Sequence, residues 1–203
     1  MNNWKEIWND KGRINNSIIL TLLKADGYDI PWSRIGAEEW IQYCNNFYSK
    51  IGVSMDDTIF EIGCGSGAFL YPLYLRNNFV EGIDYSANLL DLARKFMPES
   101  NFPCEDAASI KLNKTYDVVL SHSVFQYFND LNQAEMVLKT MNRLAKRKIA
   151  ILDVNDMENF DLFHKERIKQ FVEEGQNDAS NDDDPFVVSD AQTMLNFIKE
   201  NAG

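Results

Sequence analysis

Histidine is scarce in this chain. Only His122 and His164 occur, too few for a histidine-rich metal site, and no metal is expected. The three cysteines, Cys44, Cys64 and Cys104, are odd in number and form no C-x-x-C pair. That argues against a disulfide framework and for a reducing compartment, read here as cytoplasmic. Basic charge is also short: 20 Lys and Arg stand against 31 Asp and Glu, a net charge of −11. Such a field repels a phosphate backbone, so no nucleic-acid partner is expected. The densest basic run, Lys146-Arg147-Lys148, reads as a solvated helix end ahead of a strand. Long apolar runs are missing too. Ile18 to Leu23 is broken by Thr21 and is far too short to span a bilayer, and the leading MNNWKEIWND is too polar for a signal peptide.

What is present is an ordinary globular composition, 45% hydrophobic and 25% charged over 203 residues, enough for one domain. From Thr58 onward, strand and helix patterns alternate. Thr58 to Gly63, Phe79 to Asp84, Tyr116 to Ser121 and Lys148 to Val154 read as strands, with a weaker one at Asn101 to Cys104. Ala68 to Asn77 reads as a helix with Pro72 in its first turn, where proline is tolerated. Ala87 to Met97 is a second helix, stopped by Pro98. Asn129-Asp130 caps a third, carrying Leu131, Ala134, Leu138, Met141 and Ala145 at helical spacing. This alternation predicts an α/β fold with a doubly wound, mainly parallel sheet and helices on both faces. Residues 1–53 hold all four tryptophans, Trp4, Trp8, Trp32 and Trp40, and read as a helical cap broken around Gly27 to Pro31. Residues 54–156 form the core. Residues 157–203 read as helices around an acidic loop, 173–184.

The segment Glu61-Ile62-Gly63-Cys64-Gly65-Ser66-Gly67 follows the first strand. Glycines there permit a tight turn and close approach of a ligand to a helix N-terminus. A P-loop requires a lysine after the last glycine, where this chain has Ala68. A dinucleotide fingerprint fits as Gly63, Gly65 and Ala68, with Asp84 about 20 residues on. The loop alone leaves that reading open. The surrounding acids favour another. Glu61, two residues before Gly63, disfavours a pyrophosphate and suits a ligand carrying an ammonium and a sulfonium; the lesser alternative is a strand-end carboxylate paired elsewhere in the fold. Asp84 ends the second strand, where a carboxylate takes ribose hydroxyls or caps the next helix. Asp106 follows the third, within reach of an adenine amino group. YDVVLSHSVFQYF closes the fourth with small and aromatic residues.

Together these segments resemble the motifs of class I S-adenosylmethionine-dependent methyltransferases. The resemblance covers about Thr58 to Asp156, and GIDYSANLLDLARK is especially similar to the bacterial small-molecule enzymes of that class. It implies a Rossmann-like fold, S-adenosylmethionine as methyl donor and S-adenosylhomocysteine as product. It implies that Gly63, Gly65 and Gly67, with Glu61 and Cys64, lie near the methionine part. Asp84 would hold the ribose, and Tyr85 and Leu89 would flank the adenosine. Asp106 and Ala107 would face adenine, and Ser121 and His122 would lie under the sulfonium. His122 is the candidate general base, since an imidazole ordinarily titrates near neutrality, with Tyr127 a second choice. Cys64 has no visible partner base and reads as a loop residue, and Asp153, Asn155 and Asp156 read as a cap and pocket lining.

The chain departs from the class after the fifth strand, where the pattern offers no convincing version of the usual antiparallel hairpin: either the sheet is abbreviated or the chain is cut short. Phe186-Val187-Val188 is one short candidate strand. Three functions follow: a small-molecule methyltransferase working by in-line displacement, a cofactor-binding module without catalysis, and an NAD-dependent oxidoreductase. A monomer or homodimer is expected in each case.

Overall fold

The computed structural model describes residues 16–28, 35–128 and 130–153. Trp4, Trp8, Trp32, Asn155, Asp156, His164, the acidic loop and the C-terminal helices lie outside those residues, as does the question of the hairpin. Helix α1 runs through residues 16–25 and α2 spans Ala37–Ile51. Then follow β1 (Thr58–Ile62), α3 (Tyr71–Leu75), β2 (Phe79–Ile83), α4 (Ala87–Phe96), β3 (Tyr116–His122), α5 (Leu131–Leu144) and β4 (Ala145–Leu152). The four strands are all parallel in the order β2-β1-β3-β4, with crossover helices between them.

The strands read as near-continuous apolar runs because both sheet faces are covered. Ile59, Val118, Leu120, Ala150 and Leu152 face one core, shared with Ile19 and Leu22 of α1, Trp40 and Phe47 of α2, and Leu90 and Ala93 of α4. Phe60, Ile62, Val119, Ile149 and Ile151 face the other, filled by Val137, Leu138, Met141 and Leu144 of α5. Helix α2 presents Trp40, Cys44, Phe47, Tyr48 and Ile51 on one buried stripe and stops at Gly52, whose φ is 67°. Helix α5 begins at Asp130, whose carboxylate accepts from the Gln133 amide at 2.8 Å.

Three details differ from the sequence pattern. The Asn101 to Cys104 strand is reduced to one parallel bridge, Asp84 to Cys104. Pro103 has no amide hydrogen to give to a ladder. The helix expected from Ala68 is shortened to Tyr71–Leu75, with residues 68–70 as turns and Pro72 in the first helical turn. The basic run is not a solvated helix end. Strand β4 starts at Ala145, and Lys146 and Arg147 lie inside it, ion-paired with Asp117 and Asp57 respectively.

Candidate functional site

The glycine loop leaves the carboxyl end of β1, where strand order reverses between β2 and β3. Its first turn is made by the Gly63 and Cys64 amides, both donating to the Ile83 carbonyl at 2.8 and 2.9 Å. Gly63 and Gly65 have φ of 74° and 53°. A Cβ on Gly63 would lie 2.4 Å from a Val124 methyl, and one on Gly65 would lie 2.7 Å from an Asp26 carboxylate oxygen. Both positions therefore require glycine for conformation and for space. The loop borders a cavity of about 530 Å³.

Of the expected residues, Glu61, Gly63, Cys64, Gly65, Asp84, Tyr85, Leu89, Asp106, Ala107 and His122 line this cavity. Gly67 and Ser121 are not in its wall. A Cβ on Gly67 would meet the Met97 methyl, on the side where α4 packs. Ser121 is fully buried and donates to the Ile62 carbonyl at 2.9 Å, tying β3 to β1. Asp84 is occupied by backbone on both oxygens: one accepts from the Gly65 amide at 2.9 Å and the other from the Ser86 amide at 2.8 Å. It shapes the glycine loop as well as facing the cavity. Asp106 accepts from the Ala108 amide at 2.7 Å and so sets the short 3₁₀ turn Ala107–Ser109. Tyr85 stands 82% exposed at the mouth.

Glu61 is fully buried, and its Oε2 has no hydrogen-bond partner. Burial, then the charges of Asp26 and Asp84, push its carboxyl well above the usual range. Burial likewise pushes the Cys64 thiol up, which suits a packing residue and not a nucleophile. His122 is buried and stacks on Phe69 with centroids 4.6 Å apart. Its Nε2 lies 2.8 Å from the Tyr43 hydroxyl. Burial pushes its pKa down to about 3, so the ring is neutral near pH 7 and does not titrate there as the sequence suggested.

Several lining residues come from segments whose register the motifs do not reveal. Asp26, just past α1, accepts from the Ser66 amide and hydroxyl, each at 2.8 Å. Trp40 of α2 donates to the Ala68 carbonyl at 3.0 Å, and Tyr48 donates to the Phe69 carbonyl, so α2 pins the segment after the loop. Tyr28 lies 3.2 Å from the Ser123 hydroxyl, which donates to Asp153. Ser123 and Asp153, at the ends of β3 and β4, both adopt left-handed φ, 56° and 57°, held by this bond.

The lining is strongly acidic. Among the described residues, Asp26, Glu61, Asp84, Glu105 and Asp106 border the cavity, and none of its lining residues is a lysine or arginine. Tyr28, Trp40, Phe69, Tyr127 and Phe128 add aromatic surface beside them. An ammonium or sulfonium fits this donor set and the orphaned Glu61 oxygen; a pyrophosphate does not. Among the described residues no group of three potential metal ligands is gathered, and no helix is long and apolar enough to cross a membrane.

Residues 60–151 match the family model described as a methyltransferase domain. Malonyl-[acyl-carrier protein] O-methyltransferase from Bacillus cytotoxicus is 30% identical over 118 residues, 55% of this chain and 41% of the relative. The protein of that name from Acetivibrio thermocellus is 38% identical over 92 residues, 43% of this chain and 30% of the relative. The aligned chain thus spans less than half the length of these relatives. Magnesium protoporphyrin IX methyltransferase from Synechocystis PCC 6803, solved with bound S-adenosylmethionine, shares the fold with a TM-score of 0.50 at 20% identity, covering 57% of this chain and 59% of that one. Residues 60–151 are thus similar to a methyltransferase domain, and the parallel sheet with its helices shares the fold of a solved S-adenosylmethionine-bound methyltransferase.

Proposed function

We propose that this chain binds S-adenosylmethionine in the acidic cavity and methylates a small-molecule acceptor, free or carrier-linked. The observation that carries this reading is the buried Glu61 oxygen without a partner, set among Asp26 and Asp84 beside the glycine loop. S-adenosylmethionine supplies a methyl group already activated on a sulfonium. The protein's work is then to hold donor and acceptor in line and to exclude water. In this reading Glu61 takes the ammonium, Asp84 the ribose, and Asp106 with the Ala107 backbone the adenine edge.

Neutral, buried His122 is a poor general base at pH 7, because its conjugate acid is too strong to hold an acceptor's proton. We assign it a positioning role: it fixes the Tyr43 hydroxyl and, with Phe69 and Trp40, forms an aromatic wall. The preferred acceptor is therefore a group that is nucleophilic without losing a proton, such as a free amine or a carboxylate. The relatives are named for O-methylation of a malonyl-[acyl-carrier protein], and a malonyl group's free carboxylate would belong to the second class. The acidic lining repels an anionic carboxylate and so favours the first, provided the amine reacts in its neutral form.

The test is incubation of pure protein with methyl-labelled S-adenosylmethionine and a panel of amines, phenols and malonyl thioesters. A labelled product supports transfer. Cofactor binding with no product across the panel supports a non-catalytic binding module instead.

A further inference from the structure

We propose that Asp26 is a further cofactor-binding residue, one that in mildly acidic solution is partly protonated in the ligand-free protein and gives up that proton when the cationic methionine moiety binds. This rests on the function proposed above. The geometry begins with helix α1. It ends in a left-handed turn at Gly27, φ 88°, with the Tyr28 amide returning to the Leu23 carbonyl at 2.9 Å. That turn delivers the Asp26 carboxylate to the glycine loop. Asp26 from the end of α1 and Asp84 from the end of β2 then take the consecutive amides of Ser66 and Gly65.

At Ser66 one hydroxyl hydrogen faces two acceptors, so the site accommodates one more proton. The hydroxyl lies 2.8 Å from Asp26 Oδ2 and 3.1 Å from the Leu22 carbonyl. A proton on Asp26 completes the set: the carboxyl donates to Ser66 Oγ, and Ser66 donates to Leu22. The groups facing Asp26 favour that state. They are Glu61 from β1, Cys64 from the loop, Asp84 from the end of β2, and Tyr28 beyond its own helix. Burial, the larger effect, together with Asp84 raises its pKa to about 6. A second, independent feature points to a cationic ligand here: the nearby Glu61 oxygen is buried and has no partner. An ammonium entering this group of acids favours their ionised forms, and the Asp26 proton leaves to solvent.

Calorimetric titration of the full chain with S-adenosylhomocysteine at pH 6, in two buffers of different ionisation enthalpy, reads the protons released. At that pH the ligand's own amino group stays protonated, its ordinary pKa being about 8. Asp26→Asn should release about half a proton fewer than the natural protein. It should also bind the ligand about tenfold more weakly at pH 8, where the natural residue is ionised. Its melting temperature at pH 8 should be equal or higher, because the amide mimics the protonated carboxyl and removes a buried charge. Unchanged proton release or unchanged affinity overturns the proposal. If Asp26→Asn does not fold, Ser66→Ala serves. Because this hydroxyl bonds Asp26 in either protonation state, removing it should shift the midpoint of the proton-release profile, and an unmoved profile rejects the assignment. Failure of the natural protein to bind S-adenosylhomocysteine rejects the cofactor reading as a whole, whereas binding with unaltered proton release rejects only Asp26.

Discussion

Replacing Gly63 with alanine should damage the protein in two separable ways. The first is conformational. At φ 74° the backbone is left-handed, which costs a residue with a Cβ about 1–2 kcal/mol. The second is steric. The new Cβ would sit 2.4, 3.2 and 3.3 Å from three atoms that all belong to the Val124 side chain. Such overpacking costs about 1–3 kcal/mol. The sum is about 2–5 kcal/mol, a large part of a domain's stability. Because the clash involves one side chain, Val124→Ala should relieve it and leave the backbone strain untouched. Urea denaturation of the natural protein, G63A, V124A and the double variant measures this as a cycle. Relative to V124A, the double variant should lose only about 1–2 kcal/mol, giving a coupling of about 1–3 kcal/mol. A G63A loss below about 0.5 kcal/mol, within the range of an ordinary surface change, would refute the strain argument. A coupling near zero would refute the steric one. V124A should keep the fold of the loop, since the hydrogen bonds of Gly63 and Cys64 to Ile83 do not involve it.

Other substitutions test individual assignments. Ser121→Ala should cost about 1 kcal/mol through the lost bond to Ile62 and leave cofactor affinity unchanged; a marked loss of affinity would return Ser121 to the binding site. The His122 imidazole should stay neutral from pH 8 down to pH 5 when followed by NMR, and a midpoint near 6.5 would show that it is not desolvated as described. Because its folded pKa is depressed, His122 contributes stability at high pH that is lost as pH falls below about 6.5. Asp117 behaves as a stabilising carboxylate: bonds from Thr58 lower its pKa from 3.8 to about 2, so its contribution is present above about pH 4 and fades as pH falls toward 2. Asp117→Asn should therefore be less stable than the natural protein at pH 7 and converge with it in acid unfolding. A gap that persists unchanged at pH 2 would contradict that.

The features that could be read from the chain were those carried by local pattern. β1 with its glycine loop, β2 leading directly into Asp84, and β3 ending at His122 each combine an apolar run with a distinctive residue at its carboxyl end. Parallel pairing then brings those ends together without further information. Asp26 and Tyr28 could not be found that way. Their place beside the cavity depends on how α1 and α2 pack over the sheet, a tertiary fact with no local mark. A faint clue was available, since a Gly after an Asp at the end of the α1 pattern signals a left-handed stop. Ser121 lies outside the cavity wall for a related reason. Its neighbour His122 faces the cavity, and successive residues of a strand face opposite sides. The start of β4 was obscured because Lys146 and Arg147 look solvent-bound until Asp117 and Asp57 arrive from other parts of the chain.

The central claim is that the acidic cavity beside the glycine loop accepts an adenosyl ligand with a cationic methionine end. Calorimetric titration of the full chain with S-adenosylmethionine, S-adenosylhomocysteine and NAD tests it most directly. The account predicts one-to-one binding of both S-adenosyl ligands, weakened by Glu61→Gln, and much weaker binding of NAD. Tighter binding of NAD, or no binding of either S-adenosyl ligand by the folded protein, would contradict it.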